Sequence, residues 1–338
     1  MPGDLSTAHR MAEAFVGPVA AIHPFGAGLI NETFLVAAET GEYVVQRLNT
    51  AVFPDPDAVT ANIVAVHRHL RGALMPEPVP TPAGQWLAWD DADPWRAWRR
   101  SPGRPLIGAD CSPAALYGAG SLLGTFHGLI ADLEPATIIE TLPGFHDPRG
   151  RLDALWAIIA ADPYNRVATV EAEIAMAQAA EPLVEVAAGL TSRVPRRVAH
   201  FDAKLDNILF AAGDAVALVD FDTVMPGAWF WDVGDLLRSG ATPAAEDDPD
   251  PERAVVLPER YEAIVAGYRQ ALLKTTRAAD PAEDEALEVA GAIVTYEQAL
   301  RFLTDWIAGD VYYRISRPAQ NLDRARAQFR LLASMPRP

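Results

Sequence analysis

Residues His200–Asp222 read HFDAKLDNILFAAGDAVALVDFD. They hold the spaced set His200-x-Asp202-x-Lys204-x-x-Asn207, an apolar run from Ile208 to Ala211, a Gly213-Asp214 turn, a second apolar run from Ala215 to Val219, and Asp220-Phe221-Asp222. Two short apolar runs about a Gly-Asp turn predict a β-hairpin, with polar side chains gathered at both of its ends. Phosphoryl transfer to a hydroxyl needs a carboxylate for the hydroxyl proton, oxygen ligands for Mg²⁺ and positive charge over the group in flight. Asp202 suits the first need and Lys204 the third. Asn207 and Asp220 suit the second. The competing reading is a plain hairpin whose loop carries polar residues. The lysine weighs against it, because the chain has only Lys204 and Lys274 and otherwise uses arginine.

The 338 residues suffice for two lobes with a large core, and half of them are hydrophobic, which excludes a disordered chain. No run of about 18 apolar residues is present, so no membrane-spanning helix is expected. The first residues, MPGDLSTAHRMAEAF, lack a basic segment followed by an apolar one, and with the single Cys111 this points to a reducing, cytoplasmic setting. Cys111 reads best as a small buried hydrophobe. A net charge of −17 argues against nucleic acid as a partner, since that binding rests on Lys and Arg neutralising phosphates. The oligomeric state, monomer or dimer, is left open.

Outward from the central stretch, Ala8–Val16 has the spacing of a short amphipathic helix, and Ile22–Leu48 reads as strands separated by two turns. Gly26-Ala27-Gly28-Leu29-Ile30-Asn31 lies between the first two strands as a shortened glycine-rich loop whose N–H groups suit phosphates. A kinase-like third strand would carry a lysine for the α- and β-phosphates, but none precedes residue 204. Arg47 is the first candidate for that charge and Gln46 the second, because the facing of the strand is not set by the sequence. Helix is expected over Asp55–Leu74, a stiff connector over Met75–Pro82, and strands over Gln85–Trp89 and Trp95–Trp98. A hinge is expected at Ser101-Pro102-Gly103. Beyond it, Ser112-Pro113 caps a helix reaching about Leu133, on which His127 is a packing residue. Helices follow over about 150–162 and 167–189. Asp232 and Asp235 begin another, as carboxylates meeting its free N–H groups. Ala241–Glu252 reads as a mobile surface loop, and helices over Pro258–Thr275, Pro281–Ala308 and Ala319–Met335 end the chain.

With these residues in place, the chain resembles the aminoglycoside phosphotransferase/choline kinase superfamily, and within it the bacterial N-acetylhexosamine 1-kinases. The closer likeness covers FGAGLINETF, VVQRLNTAVFPDP, ETLPGFHDP, HFDAKLDN, VDFDTVMPG, ALRFLTDWIAGDVYYRI and RPAQNLDRARAQ. The resemblance implies an α/β (α+β) bilobal, protein-kinase-like fold. A small antiparallel-sheet N-lobe (residues 1–100) would hold nucleotide, and a large, mainly helical C-lobe (101–338) would hold the catalytic and substrate sites. It implies ATP and Mg²⁺ between the lobes and transfer of the γ-phosphate to the anomeric hydroxyl of N-acetylglucosamine or N-acetylgalactosamine. It makes Asp202 the base, Asn207 and Asp220 the metal ligands with Asp222 supporting a second ion or a water, and Arg301 and Tyr312 contacts to the sugar. Leu29 stands where such enzymes are expected to place a sugar-contacting His. A leucine cannot hydrogen-bond, so the departure bears on the acceptor and not on the fold. Rival expectations are the same fold with an aminoglycoside, amino alcohol or other sugar as acceptor, and a nucleotide-binding pseudokinase. A sulfatase is disfavoured, because Cys111 in DCSPAA does not resemble the motif that such enzymes convert to their nucleophile.

Overall fold

A computed structural model describes residues 5–26, 30–106, 108–274 and 280–336. Gly28 and Leu29 lie outside the described residues. The chain opens with α1 (Leu5–Val16) and the strands β1 (Val19–Pro24), β2 (Glu32–Ala38) and β3 (Gly41–Arg47). Next come α2 (Pro56–His69), β4 (Pro78–Val79), β5 (Ala88–Asp90) and β6 (Asp93–Arg99). The strands form one antiparallel sheet in the order β1-β2-β3-β6-β4, with β5 also paired to β6. The stretch expected to be a connector therefore supplies a strand, in which Pro78 and Val79 pair with Trp98 and Ala97. Proline is tolerated there because β4 ends the sheet and its N–H side needs no partner.

The two faces of this sheet bury against different things. Period-two alternation puts Tyr43 and Val45 of β3 with Phe34 and Val36 of β2 on one side, where Ala8, Met11, Ala12 and Phe15 of α1 cover them. Trp98 and Val44 face the other way, onto α2 and the core of the large lobe. Val59, Ile63, Val66 and Leu70 of α2 are buried in that same large core. Thus α2 lies before residue 100 in sequence but packs with the C-terminal body. Asp55 starts α2 by accepting from the Ala58 N–H at 2.9 Å.

The large lobe is mostly helical: α3 (Pro113–Leu129), α4 (Pro148–Ala161), α5 (Glu171–Ala179) and α6 (Pro182–Arg193) precede the central stretch. The single helix expected over 167–189 is two, because Pro182 cannot donate into a continuing helix and instead starts α6. Then come β7 (Arg197–Ala199), β8 (Ile208–Ala211), β9 (Asp214–Leu218) and β10 (Met225–Gly227). They are followed by α7 (Trp229–Gly240), α8 (Pro258–Lys274), α9 (Pro281–Ile307) and α10 (Gln320–Ser334). β8 and β9 form the expected hairpin, and β10 pairs with β7. Ser112 caps α3, as its sequence implied, an interaction worth about 1 kcal/mol. α3 and α8 touch backbone to backbone. A Cβ on Gly120 would come within 2.2 Å of the Ile264 carbonyl oxygen, and one on Gly267 within 2.1 Å of that of Tyr117.

The segment 241–252 departs from the mobile loop read from its composition. Ala241, Thr242, Ala244 and Asp248 are buried. Arg238 pairs with Glu246 at 2.8 Å, and Arg317 and Gln320 donate to Asp247 at 2.6 and 2.7 Å. Glu246 pairs with Arg238 of α7, while the Asp247 carbonyl accepts from Arg317 and its carboxylate from Gln320, both distant in sequence, which composition does not reveal. Cys111 is buried and free, as expected. Among the described residues no helix is long and apolar enough to cross a membrane.

Candidate active site

The central stretch runs from β7 into a short loop, a 3₁₀ turn at Leu205–Asn207, the β8–β9 hairpin, and a second 3₁₀ turn at Phe221–Thr223. The hairpin folds the two ends of the motif onto each other, and the Val219 N–H donates to the Asn207 carbonyl at 2.9 Å. Lys204 Nζ donates to both carboxylate oxygens of Asp202, at 3.0 and 2.7 Å. Asn207 gives its amide hydrogens to the Asp202 backbone carbonyl and to Oδ2, each at 2.8 Å. That orientation leaves Asn207 Oδ1 as the free donor atom. Burial alone would raise the Asp202 carboxyl, but the Lys204 charge and hydrogen bonds outweigh it and hold the group below the usual carboxylate range. Burial disfavours the Lys204 ammonium, and the charges of Asp202, Asp220 and Asp235 overcome this and raise it.

Asp220 occupies a left-handed backbone position, φ +65°, at the end of β9. The residue is exposed by surface area. Desolvation of its carboxyl by the protein atoms gathered near it, with the neighbouring charges of Asp222 and Asp202, pushes that carboxyl up to about 7. Asp222 is engaged from the small lobe. Asn31 Nδ2 donates to its Oδ2 at 2.7 Å, and Arg96 Nη2 lies 2.5 Å from its Oδ1. The two side chains of this ion pair are 4 % and 2 % exposed.

Arg96 is the charged group at this cluster that the sequence did not single out. Gln46 occupies the cleft-facing position of β3, directly opposite Arg96 in the β3–β6 register. Its Oε1 accepts from Arg96 Nε and Nη2, at 3.0 and 2.9 Å, and from Trp98 Nε1 at 3.0 Å. The cation sought on the third strand thus stands one strand over, steered by the residue at the place where a lysine was expected. The signal was available as a charge in the middle of the apolar stretch Pro94-Trp95-Arg96-Ala97-Trp98. Arg47 points to the opposite face, pairing with Glu32 at 3.4 Å and Asp93 at 3.2 Å, and the structure does not bring it to the site. Of the glycine-loop candidates, Gly26 is described with φ +78° and open space where a Cβ would lie. Asn31 is the one that reaches the cluster.

The helix-starting aspartates need correction. Asp232 caps nothing in α7; it accepts from the His200 and Phe201 N–H groups, at 2.8 and 2.6 Å, and from His127 at 2.9 Å. It thereby holds the loop that carries Asp202. His127 is stacked on Trp229, its other nitrogen 2.9 Å from the Tyr268 hydroxyl, in keeping with a packing role. Asp235 pairs with Arg238 at 2.8 Å.

On the acceptor side, the Arg301 guanidinium lies 5.6 Å from the Phe145 ring, 5.9 Å from Tyr312 and 5.5 Å from Tyr313. Phe145 in turn stands edge-on to Phe201, the residue before Asp202, at 6.3 Å. Arg301 is thus one aromatic ring away from the loop that carries Asp202. Tyr312 is 62 % exposed, and buried Asp305 shapes its loop by accepting the N–H groups of Val311, Tyr312 and Tyr313 at 2.8–2.9 Å. An open depression of about 470 Å³ beside Arg166, Trp306 and Arg317 shares none of these residues.

The donor set fits Mg²⁺. Among the described residues no three His, Cys, Asp or Glu side chains could hold a metal unaided. Mg²⁺ on a nucleotide does not need that, since it is held by one or two carboxylates with phosphate oxygens and water completing its shell. Asn207 Oδ1 and the Asp220 carboxylate offer hard oxygens, and crowding of Asp220 by like charges is what a cation would relieve.

Solved structures of other proteins share this fold. Structural likeness extends over nearly the whole chain. An amicoumacin kinase in complex with AMP-PNP, Ca²⁺ and Ami matches with a TM-score of 0.60 at 13 % identity, over 98 % of this chain and 94 % of that one. Choline kinase from Cryptosporidium parvum matches with 0.60 at 11 % identity, over 96 % and 93 %. The macrolide 2′-phosphotransferase of Brachybacterium faecium matches with 0.56 at 15 % identity, over 97 % and 98 %. These likenesses establish the kinase-like fold, small sheet lobe and large helical body. A model of the phosphotransferase enzyme family matches residues 21–280, from β1 past α8, and the chain belongs to that family.

Proposed function

We propose that this protein transfers the γ-phosphoryl group of ATP to a hydroxyl of a small polyhydroxylated molecule, first among them the anomeric hydroxyl of an N-acetylhexosamine. The observation that carries the reading is the convergence of Asp202, Lys204, Asn207 and Asp220 on one side of a hairpin, one aromatic ring from Arg301. Asp202, ionised and aimed by Asn207, orients the acceptor hydroxyl and takes its proton. Lys204, shared with Asp202, offsets charge on the transferred group. Asn207 and Asp220 would hold Mg²⁺, which when bound neutralises phosphate charge and fixes the phosphates in line. Arg96, released from or shared with Asp222, is the small-lobe cation for the nucleotide phosphates, and the loop at Gly26 and Asn31 lies over them. Arg301 and Tyr312 bind the sugar through guanidinium hydrogen bonds and an aromatic face. In this reading the N-lobe ends near residue 100.

The decisive experiment offers a mixed acceptor library with ATP and Mg²⁺ and identifies phosphorylated products by mass spectrometry. The expected product is N-acetylglucosamine 1-phosphate or its galacto epimer. Finding no phosphorylation of either sugar ends that assignment. A second reading keeps the reaction and changes the acceptor. The exposed Val311 and Tyr312 present an apolar rim that suits a larger or less polar molecule, and the leucine that the sequence has at position 29 cannot hydrogen-bond a sugar. The matched proteins act on choline, a macrolide and amicoumacin, so the same library includes an amino alcohol and antibiotics.

Asp220 gives a pH signature. Its carboxyl is raised to about 7 without metal, whereas a metal ligand must be ionised. Binding of Mg²⁺·ADP at or below neutral pH is therefore expected to expel a proton, up to one per site, and to weaken as pH falls through that value. Calorimetry in buffers of different ionisation enthalpy reads this directly. Equal heats in all buffers would exclude Asp220 as a ligand with a raised pKa.

A further inference from the structure

His146 lies in the segment ETLPGFHDP, just before α4, and its side chain is 6 % exposed. None of the chemistry above uses it. Its Nδ1 is 2.7 Å from Glu297 Oε2, and its Nε2 is 3.1 Å from the carbonyl oxygen of Phe201. A carbonyl oxygen only accepts, and so does an ionised carboxylate, so both ring nitrogens must carry hydrogen. Burial would push the Glu297 carboxyl up, but His146, Arg301 and the N–H of Asp147 outweigh it and hold it below its usual range. Glu297 Oε1 also accepts the Asp147 N–H at 2.9 Å and faces Arg151 Nε at 3.9 Å, so both of its oxygens act as acceptors and the hydrogen toward Oε2 is carried by His146. The ring is stacked between Trp231, at 4.7 Å and 6°, and Phe201, at 5.4 Å and 23°. Aromatic faces favour a cation placed there. Arg151 of α4 and Arg301 of α9 are the other charges facing the pair.

The residue held by this clamp is in a sparsely populated conformation. Phe201 has φ +67°, which a non-glycine residue keeps only when its surroundings enforce it. Its N–H is fixed by Asp232, and its carbonyl by His146. Its ring presses on Gly227, where a Cβ would meet the ring at 2.0 Å. Asp202 follows directly, so the direction of its side chain is set by the torsions of Phe201. Glu297 stands one helical turn before Arg301 on α9. The helix that supplies the counter-charge of His146 also carries the acceptor-side arginine.

We propose that His146 is a positioning residue for the transfer reaction: as an imidazolium bridging Glu297 and the Phe201 carbonyl, it holds Asp202 in register with the acceptor groups of α9. The inference rests on Asp202 being the base. Its test combines nitrogen-15 spectra of the histidine rings with kinetics of His146→Gln, His146→Leu and Glu297→Gln. Transfer from ATP·Mg²⁺ is followed both to N-acetylglucosamine and to water. In the wild type, the ring signals absent from the His146→Leu spectrum are expected to show both nitrogens protonated at neutral pH. His146→Leu is expected to lower kcat about 10- to 100-fold, the scale of a small misplacement of a catalytic group. Mg²⁺·ADP affinity and acceptor KM should move much less, and His146→Gln, which keeps one donor, should recover part of the loss. A neutral His146 in the wild type overturns the proposal, as does wild-type kcat in folded His146→Leu or a loss that merely follows the unfolded fraction. Failure of the wild type to use the sugar counts against the acceptor assignment alone, because transfer to water and the ring spectra still report on the clamp.

Discussion

Asp202→Asn is expected to lower turnover by about 10²- to 10⁴-fold, the usual contribution of a positioned base, while Mg²⁺·ADP binding is largely kept. The substitution preserves the shape of the side chain and removes only its charge and proton affinity. Lys204 would then lose the partner that contacts it through both carboxylate oxygens and would turn toward Asp220, the next carboxylate acting on it. That shift keeps positive charge near the phosphates, which is why nucleotide affinity should survive. The comparison needs initial rates with the acceptor identified by product analysis, alongside ADP titration by calorimetry. Turnover close to wild type would mean that another group accepts the proton and that Asp202 serves only to anchor Lys204.

Arg96→Ala should have the largest effect on stability. The arginine and Asp222 form an ion pair almost sealed from water. Removing one partner leaves the other charged, buried and unpaired, which costs about 3–5 kcal/mol. Asp222 would then also repel Asp220 with only Lys204 left to offset it, and the sheet would keep only the Asn31 hydrogen bond to Asp222. Urea unfolding should show the loss, and Mg²⁺·ADP binding should weaken with it. The double variant Arg96→Met, Asp222→Asn is expected to regain much of the stability without regaining nucleotide affinity, since no charge is stranded but the cation is still missing. An Arg96→Ala protein as stable as wild type with unchanged nucleotide binding would remove Arg96 from the site.

What could be read in advance was local. The His200–Asp222 hairpin, the Ser112 cap and the terminal helices follow from turn chemistry and apolar spacing within a few residues. The gathering of Asp202, Lys204, Asn207 and Asp220 follows from the same hairpin. The misses share another cause, since each depends on a partner far along the chain. Which face of β3 looks into the cleft is decided by α1 covering Tyr43 and Val45, so the sequence alone could not choose between Gln46 and Arg47. Asp232 looked like a helix-start carboxylate until the loop from β7 arrived to donate to it. The 241–252 segment looked solvated until Arg317 and Gln320, 70 and 73 residues on, arrived at the carbonyl and the carboxylate of Asp247.

The allegiance of α2 carries a last consequence. Its apolar side is built into the larger body, while the sheet on either side of it in sequence rests partly on α1. Cutting the gene near codon 100 would therefore yield no self-sufficient halves. The front piece would carry a stripped, sticky helix, and the back piece a hole in its centre.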